Sequence, residues 1–177
     1  MKKYEFTGET KEIRLLFRTA TLHRIRATVA FGIVEVGDLG GWIEKEENLS
    51  HEGKAWVCGD AEVCGDAKVC GDAEVCGDAK VWGNAKVCGD AKVFSASHVL
   101  VIGAIGSRND FTTFYRDKDN EITVKCGCFL GKIDRFLEKV TQTHGDSKYA
   151  LVYRAAVEVA KLQIDLSGEA PKDADEE

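Results

Sequence analysis

The sequence contains no apolar run that approaches the roughly 20 residues needed to span a bilayer, so we do not expect a membrane protein. Residues 1–6 also lack the apolar segment of a signal peptide. Basic residues are too few for a general nucleic-acid binder, because 24 Lys and Arg against 30 Asp and Glu give a net charge of -6. The sequence therefore predicts a cytoplasmic protein that has no membrane partner and does not bind nucleic acid.

Paired cysteines are not expected either, although the chain has seven cysteines. Their odd number and identical spacing fit neither a secreted disulfide framework nor a C-x-x-C zinc site. If residues 18 apart stack, Cys58 lies near Cys76 and Cys70 near Cys88, at distances that a disulfide permits. A reducing cytosol works against such bonds. We therefore expect free thiols, whose regular spacing follows from the duplication of a short sequence repeat.

That repeat occupies residues 55–93, where a six-residue unit such as AEVCGD recurs in six full copies and a partial seventh. Alternation within a copy places Ala61 and Val63 on one face, and Glu62 and Cys64 on the other. Because the Glu/Lys column must face water, the Ala/Val column is predicted to form the core and the cysteines to point outward. The Gly-Asp pair that ends each copy indicates a turn.

An aliphatic residue every six positions, with a small residue two before it, resembles the hexapeptide repeat of left-handed parallel β-helices. The resemblance implies three copies per coil and a left-handed solenoid. The predicted fold class is therefore mainly β with a C-terminal α+β part: a short left-handed parallel β-helix between an N-terminal β segment and a C-terminal ββαα cap. We place these parts at 1–42 (N-terminal cap), 43–98 (repeat), 99–166 (C-terminal cap) and 167–177 (acidic tail).

The flanking patterns support this division. Residues 111–115 and 122–126 predict a hairpin. Apolar residues from Ile133 to Val140 at helical spacing predict a helix that ends at Gly145. Ser147 is the predicted N-cap of a second helix, whose apolar face comprises Tyr149, Tyr153, Ala156, Val157, Ala160 and Ile164.

Several segments outside the repeat resemble bacterial and prophage hexapeptide-repeat proteins, which are often labelled putative transferases or left uncharacterised. They are GDLGGWIEKEENLS at 37–50, CGCFLG at 126–131, DRF at 134–136, HG at 144–145 and KYA at 148–150. The resemblance implies a phage-associated setting, and hence the host cytoplasm, but no particular chemistry.

The enzymatic alternative is acyl transfer, because hexapeptide-repeat acyltransferases share the expected solenoid. It would use an acyl-CoA, with His51 or His98 as general base. The expected repeat is short and no long loop projects from it to build a cleft. Metal binding is not expected, because Cys126, Cys128 and His144 are fewer than the four ligands of a structural zinc site. Spacing alone also gives Cys128 no activating base.

We therefore favour a non-enzymatic binding or assembly protein with no cofactor and no catalytic residue. The phage resemblance adds an anti-defence role, in which the partner is a host defence protein or a nucleotide signal. Trp82 on an outer face favours a homo-oligomer. The candidate cations for an anionic ligand are Arg24, Arg26, Arg108 and Lys125.

Overall fold

The structure is a computed structural model that describes residues 1–167. The N-terminal part of the fold is a long antiparallel hairpin. Its strands, with the short strand that follows, are β1 (Tyr4–Arg14), β2 (Thr19–Ala27) and β3 (Leu39–Ile43). The strand β2 pairs antiparallel with both β1 and β3, and its side chains Leu22 and Ile25 are completely buried. A short 3-10 helix, Glu46–Asn48, leads into the repeat.

The repeat forms seven strands of two residues each within the described residues. These are β4 (Trp56–Val57), β5 (Glu62–Val63), β6 (Lys68–Val69), β7 (Glu74–Val75), β8 (Lys80–Val81), β9 (Lys86–Val87) and β10 (Lys92–Val93). They pair in parallel with the strand 18 residues away: β7 with both β4 and β10, β5 with β8, and β6 with β9. Every Ala and Val of the two inward columns is at most 1% exposed, which confirms the predicted core face.

The predicted fold class is nevertheless wrong. Residues 1–167 form a mixed fold of four small sheets, antiparallel and parallel, with two α-helices, and the sheets do not make up a regular left-handed helix. The largest sheet has the order β1-β2-β3-β5-β8, so an antiparallel hairpin and parallel repeat strands share one sheet. The repeat sets the local parallel pairing. The longest strands lie outside it and give the fold its mixed character.

The cysteine predictions also need correction. Cys58 is bonded to Cys76 and Cys70 to Cys88, with Cα–Cα distances of 4.5 and 4.6 Å. The free thiol of Cys64 does not point into water but is buried, since Glu44 and Arg18 lie against it. Burial, followed by the charge of Glu44, raises the pKa of that thiol to about 11.

The C-terminal part is a four-stranded antiparallel sheet followed by two helices, not the predicted ββαα arrangement. Its elements are β11 (Val99–Ile105), β12 (Asp110–Arg116), β13 (Ile122–Cys126), β14 (Phe129–Lys132), α1 (Ile133–His144) and α2 (Lys148–Gln163). The predicted hairpin is confirmed as β12–β13, and the predicted helix end is confirmed by Gly145 at φ 54°. Ser147 is the N-cap of α2, and Tyr149 is the one member of the predicted apolar face that is exposed.

The C-terminal sheet covers the end of the repeat. The Tyr115 hydroxyl donates to the Cys88 carbonyl oxygen at 2.8 Å, and the Lys118 N–H donates to the Asp90 carbonyl at 3.1 Å. Lys92 was predicted to face water but is buried there, and its ammonium pairs with Glu74 at 2.6 Å. Of the predicted acidic tail, only Ser167 falls within the described residues.

A buried lysine fixes the N-terminus to the first repeat strand. Lys3 is 3% exposed, and its ammonium donates to the Ala55 carbonyl oxygen at 2.7 Å and lies 4.8 Å from the centre of the Phe31 ring. Burial lowers the pKa of Lys3 to about 8 against the attraction of Asp72. The folded protein therefore releases this proton at a lower pH than the unfolded chain does.

We predict that the free energy of unfolding rises as the pH increases from about 8 to about 10.5, by about 3 kcal/mol in total. In that interval the unfolded chain still binds the Lys3 proton and the folded chain has lost it. Urea unfolding at several pH values measures the effect, with Lys3→Met as the control that should remove the rise. An equal rise in Lys3→Met would show that another group is responsible.

Candidate ligand pocket at the C-terminal end

A cavity of about 310 Å³ lies in the C-terminal part of the fold. It is bounded by the β11–β12 turn, the end of β13, and the two helices α1 and α2. Its volume lies at the lower end of the range for small-molecule sites. Its lining divides into an apolar base, a polar wall and exposed cations.

The apolar base is centred on Phe136, which α1 directs inward and which is 4% exposed. Three rings surround it, with centroids at 5.3 Å (Phe129), 5.6 Å (Tyr153) and 6.4 Å (Phe114). The contacts with Phe114 and Tyr153 are edge-to-face, the favoured geometry for aromatic pairs. This cluster fixes the shape of the base and presents an apolar surface to a ligand.

Two glycines shape the backbone around the pocket. Gly106 has φ +73°, and a Cβ at this position would collide with the Tyr153 hydroxyl group. Gly127 has φ +55°, which allows the tight turn between Cys126 and Cys128. The Lys125 ammonium donates to the Gly127 carbonyl oxygen at 2.6 Å and supports the same turn.

The polar wall contains Cys126, Tyr153 and His144. The Thr112 hydroxyl donates to Cys126 Sγ at 3.3 Å. Burial raises the pKa of the Tyr153 hydroxyl to about 12, and the neighbouring Cys126 thiol adds to the rise. The His144 ring stacks on Tyr153 with a centroid distance of 5.8 Å. The tyrosine therefore remains a neutral hydrogen-bonding group at ordinary pH.

Arg108 and Lys139 provide two exposed cations in the lining, beside one partly buried acid, Asp110. Cations in the same lining as an aromatic base suit an organic anion that also has a flat or apolar part. The pocket brings His144 together with both Cys126 and Cys128. Within residues 1–167, however, no group of three or more His, Cys, Asp or Glu is arranged to hold a metal ion.

The structure separates the four cations that the sequence singled out. Arg108 lines the pocket and Lys125 supports its Gly127 turn. Arg24 and Arg26 lie on β2, where the Arg24 guanidinium is 5.2 Å from the centre of the Trp42 ring and Arg26 pairs with Glu5 at 2.6 Å. Neither β2 arginine lines the C-terminal pocket.

Both candidate general bases are held by contacts within the fold. His98 is buried, its Nδ1 accepts from the Phe94 N–H at 3.1 Å, and its Nε2 lies 3.3 Å from an Arg116 nitrogen. Burial, and then the charge of Arg116, lowers the pKa of His98. His51 accepts the Lys3 N–H on Nδ1 at 3.2 Å and stacks on Tyr4, and burial lowers its pKa as well.

Trp82 lies in a wide recess next to the tip of the N-terminal hairpin. The Lys80 ammonium is 5.1 Å from the centre of its ring. At the hairpin tip, Leu16 is 87% and Phe17 is 94% exposed. The sequence predicted an apolar contact surface at Trp82 and missed these two residues, because the hairpin lies outside the repeat.

Lys139 and Tyr153 were also missed as pocket residues. Tyr153 occupies a regular apolar position of α2, so the sequence pattern assigned it to the core. Lys139 lies one residue before the buried Val140 on α1, and only the packing of that helix brings it to the pocket. No local signal distinguishes Lys139 from an ordinary exposed lysine.

No helix within residues 1–167 is both long and apolar enough to cross a membrane. A comparison with protein-family models found no match, and neither did a comparison with curated proteins.

Proposed function

We propose that this chain is a non-enzymatic binding protein whose C-terminal pocket takes up a small organic anion. The observation that carries the proposal is the aromatic base around Phe136 with Arg108 and Lys139 in the same lining. A nucleotide signal is the ligand class that we favour, because it combines a flat base with a phosphate. The resemblance to prophage proteins adds the proposed setting, in which a phage-encoded protein withdraws such a signal from a host defence system.

Self-association is the second part of the proposal. The exposed apolar tip formed by Leu16 and Phe17 lies beside Trp82, and together they form a surface suited to another protein chain. A homo-oligomer would cover this surface without involving the C-terminal pocket. A host defence protein is the other occupant that the phage setting implies.

Acyl transfer remains the alternative activity, with His51 or His98 as base. The ring contacts of both histidines support a structural role instead, and neither ring lines the C-terminal pocket. The two functions differ in what happens to a bound molecule. A binding protein releases it intact, whereas an enzyme releases a converted product.

We predict that Arg108→Ala weakens the binding of an anionic aromatic probe, 8-anilinonaphthalene-1-sulfonate, at least tenfold, because the sulfonate loses its cation. Fluorescence titration of the folded protein measures the affinity. Arg135→Ala is the matched control, since Arg135 is an exposed arginine of α1 that pairs only loosely with Glu138, at 3.7 Å. It should bind the probe as the wild type does.

Equal affinities for the wild type, Arg108→Ala and Arg135→Ala would contradict the proposed site. Lys139→Ala provides a second variant at the pocket and should also weaken binding. A panel of mononucleotides and cyclic nucleotides, each displacing the probe, then identifies the ligand class. If no nucleotide displaces the probe, nucleotides are excluded as the ligand, but the proposed binding site stands.

A further inference from the structure

The three parallel ladders of the repeat differ in the charges that they stack. On one face Glu62 pairs in register with Lys80, and on another Glu74 pairs with Lys92. On the third face Lys68 pairs in register with Lys86. Two faces therefore stack opposite charges, and the third stacks two lysines.

Neither lysine of this pair forms an ion pair with an acid in the described residues. No ion pair within residues 1–167 involves Lys68 or Lys86, whereas Lys92 and Glu74 are 2.6 Å apart on their own face. Lys68 is exposed and Lys86 is partly exposed. Neighbouring strands lie about 4.8 Å apart, and like charges at this spacing repel one another.

A disulfide keeps the two lysine strands together. Cys70 and Cys88, two residues beyond the lysines on the same outer face, are bonded with a Cα–Cα distance of 4.6 Å. This bond prevents the strands from separating to relieve the repulsion. The lysine pair is therefore held in register by a covalent cross-link as well as by the backbone ladder.

A third cation, Lys125, lines the same groove as the lysine pair. It comes from β13, so the C-terminal sheet adds a charge to a face of the repeat. Glu46 and Glu47 also line this groove, and Glu46 is already paired with Lys2. The cations in the groove thus come from three separate strands.

We propose that this groove, the lysine groove, binds the diphosphate or triphosphate group of a small ligand. Adjacent phosphoryl groups carry several negative oxygens within a few ångströms, and lysine is a common partner of such groups as a point charge. An oligophosphate between Lys68 and Lys86 would relieve their repulsion, with Lys125 as a further contact. The Lys125 ammonium also donates to Gly127 in the C-terminal pocket. Lys68 and Lys86 do not line that pocket, so the lysine pair defines a site distinct from it.

Thermal unfolding and calorimetry with inorganic pyrophosphate at low ionic strength test the proposal. The wild type should bind pyrophosphate, and its melting temperature should rise with pyrophosphate concentration. Lys86→Glu should weaken binding at least tenfold. Without ligand, Lys86→Glu should melt at a higher temperature than the wild type. It would give this face the same stacking of opposite charges that the other two faces already have.

Lys80→Glu is the matched control, since it makes the same charge change at the same repeat position on another face. It places two glutamates in register, so it should melt at a lower temperature than the wild type and keep pyrophosphate binding within about threefold. Arg108→Ala should also keep this binding, which separates this test from that of the C-terminal pocket. If Lys86→Glu fails to fold, Lys86→Ala replaces it and should still lose at least fivefold in affinity.

A melting temperature of the wild type that does not change with pyrophosphate would overturn the proposal. So would equal losses in Lys86→Glu and Lys80→Glu, because they would show an effect of net charge alone. Comparison of pyrophosphate, ADP and AMP identifies the group that is bound. The proposal predicts similar affinity for the first two and at least tenfold weaker binding of AMP, while tight AMP binding would contradict an oligophosphate site.

Discussion

Reduction of a single repeat disulfide lowers the free energy of unfolding by about 3 kcal/mol, and reduction of both lowers it by roughly 5 kcal/mol. Each bond joins cysteines 18 residues apart and so restricts the unfolded chain. The joint effect is less than twice the single one, because the two loops overlap between residues 70 and 76. Urea unfolding of Cys58→Ser, Cys70→Ser and the fully reduced protein measures these losses.

The control for this prediction is Cys128→Ser, which removes an exposed free thiol and should leave the unfolding midpoint unchanged. Alkylation of the denatured, unreduced protein should label three thiols, those of Cys64, Cys126 and Cys128. Seven labelled thiols, or unfolding curves that coincide with and without reductant, would show that the cysteine pairs do not cross-link the repeat.

The second large effect is expected at Asp117, a fully buried carboxylate in the β12–β13 turn. Its Oδ2 accepts from the Thr123 hydroxyl and the Lys132 ammonium, both at 2.6 Å. Its Oδ1 accepts the backbone N–H groups of Asp119 and Glu121 at 3.0 and 3.2 Å. The side chain therefore organises the turn that holds the C-terminal sheet against the last repeat strand.

We predict that Asp117→Ala lowers the free energy of unfolding by about 3 kcal/mol, because the buried Thr123 hydroxyl and three partly buried donors lose this acceptor. Asp119→Ala is the matched control. The Asp119 carboxylate contacts the same lysine at 3.1 Å but is exposed, so its loss should cost less than about 1 kcal/mol. Chemical denaturation of both variants checks the difference, and similar losses would contradict the role assigned to Asp117.

Sequence reasoning predicted the features that depend on local patterns. Alternation identified the buried Ala and Val columns, and helical spacing with Gly145 identified α1 and its end. The same alternation failed at Cys64, because a segment far away in sequence covers that position. It also failed for the fold class, since one regular repeat does not determine how the flanking strands join its sheets.

The candidate pocket was predictable only in part, for the same reason. The sequence drew attention to Arg108, Cys126, Cys128 and His144, but it gave no indication that helix packing would place them around Phe136. The charge pattern of the lysine groove, in contrast, can be read from the sequence. Comparing the Glu/Lys column at a spacing of 18 residues reveals one lysine pair and two opposite-charge pairs, and this spacing is visible in the sequence.

The native mass of the purified protein tests the central claim most directly, because it detects both a bound anion and the number of chains. We predict a mass above a whole multiple of the chain mass, with a small anion that heating releases intact and that Arg108→Ala lacks. Three results would contradict the claim: a wild-type protein without a bound anion, the same bound species in Arg108→Ala, or release of a chemically converted product.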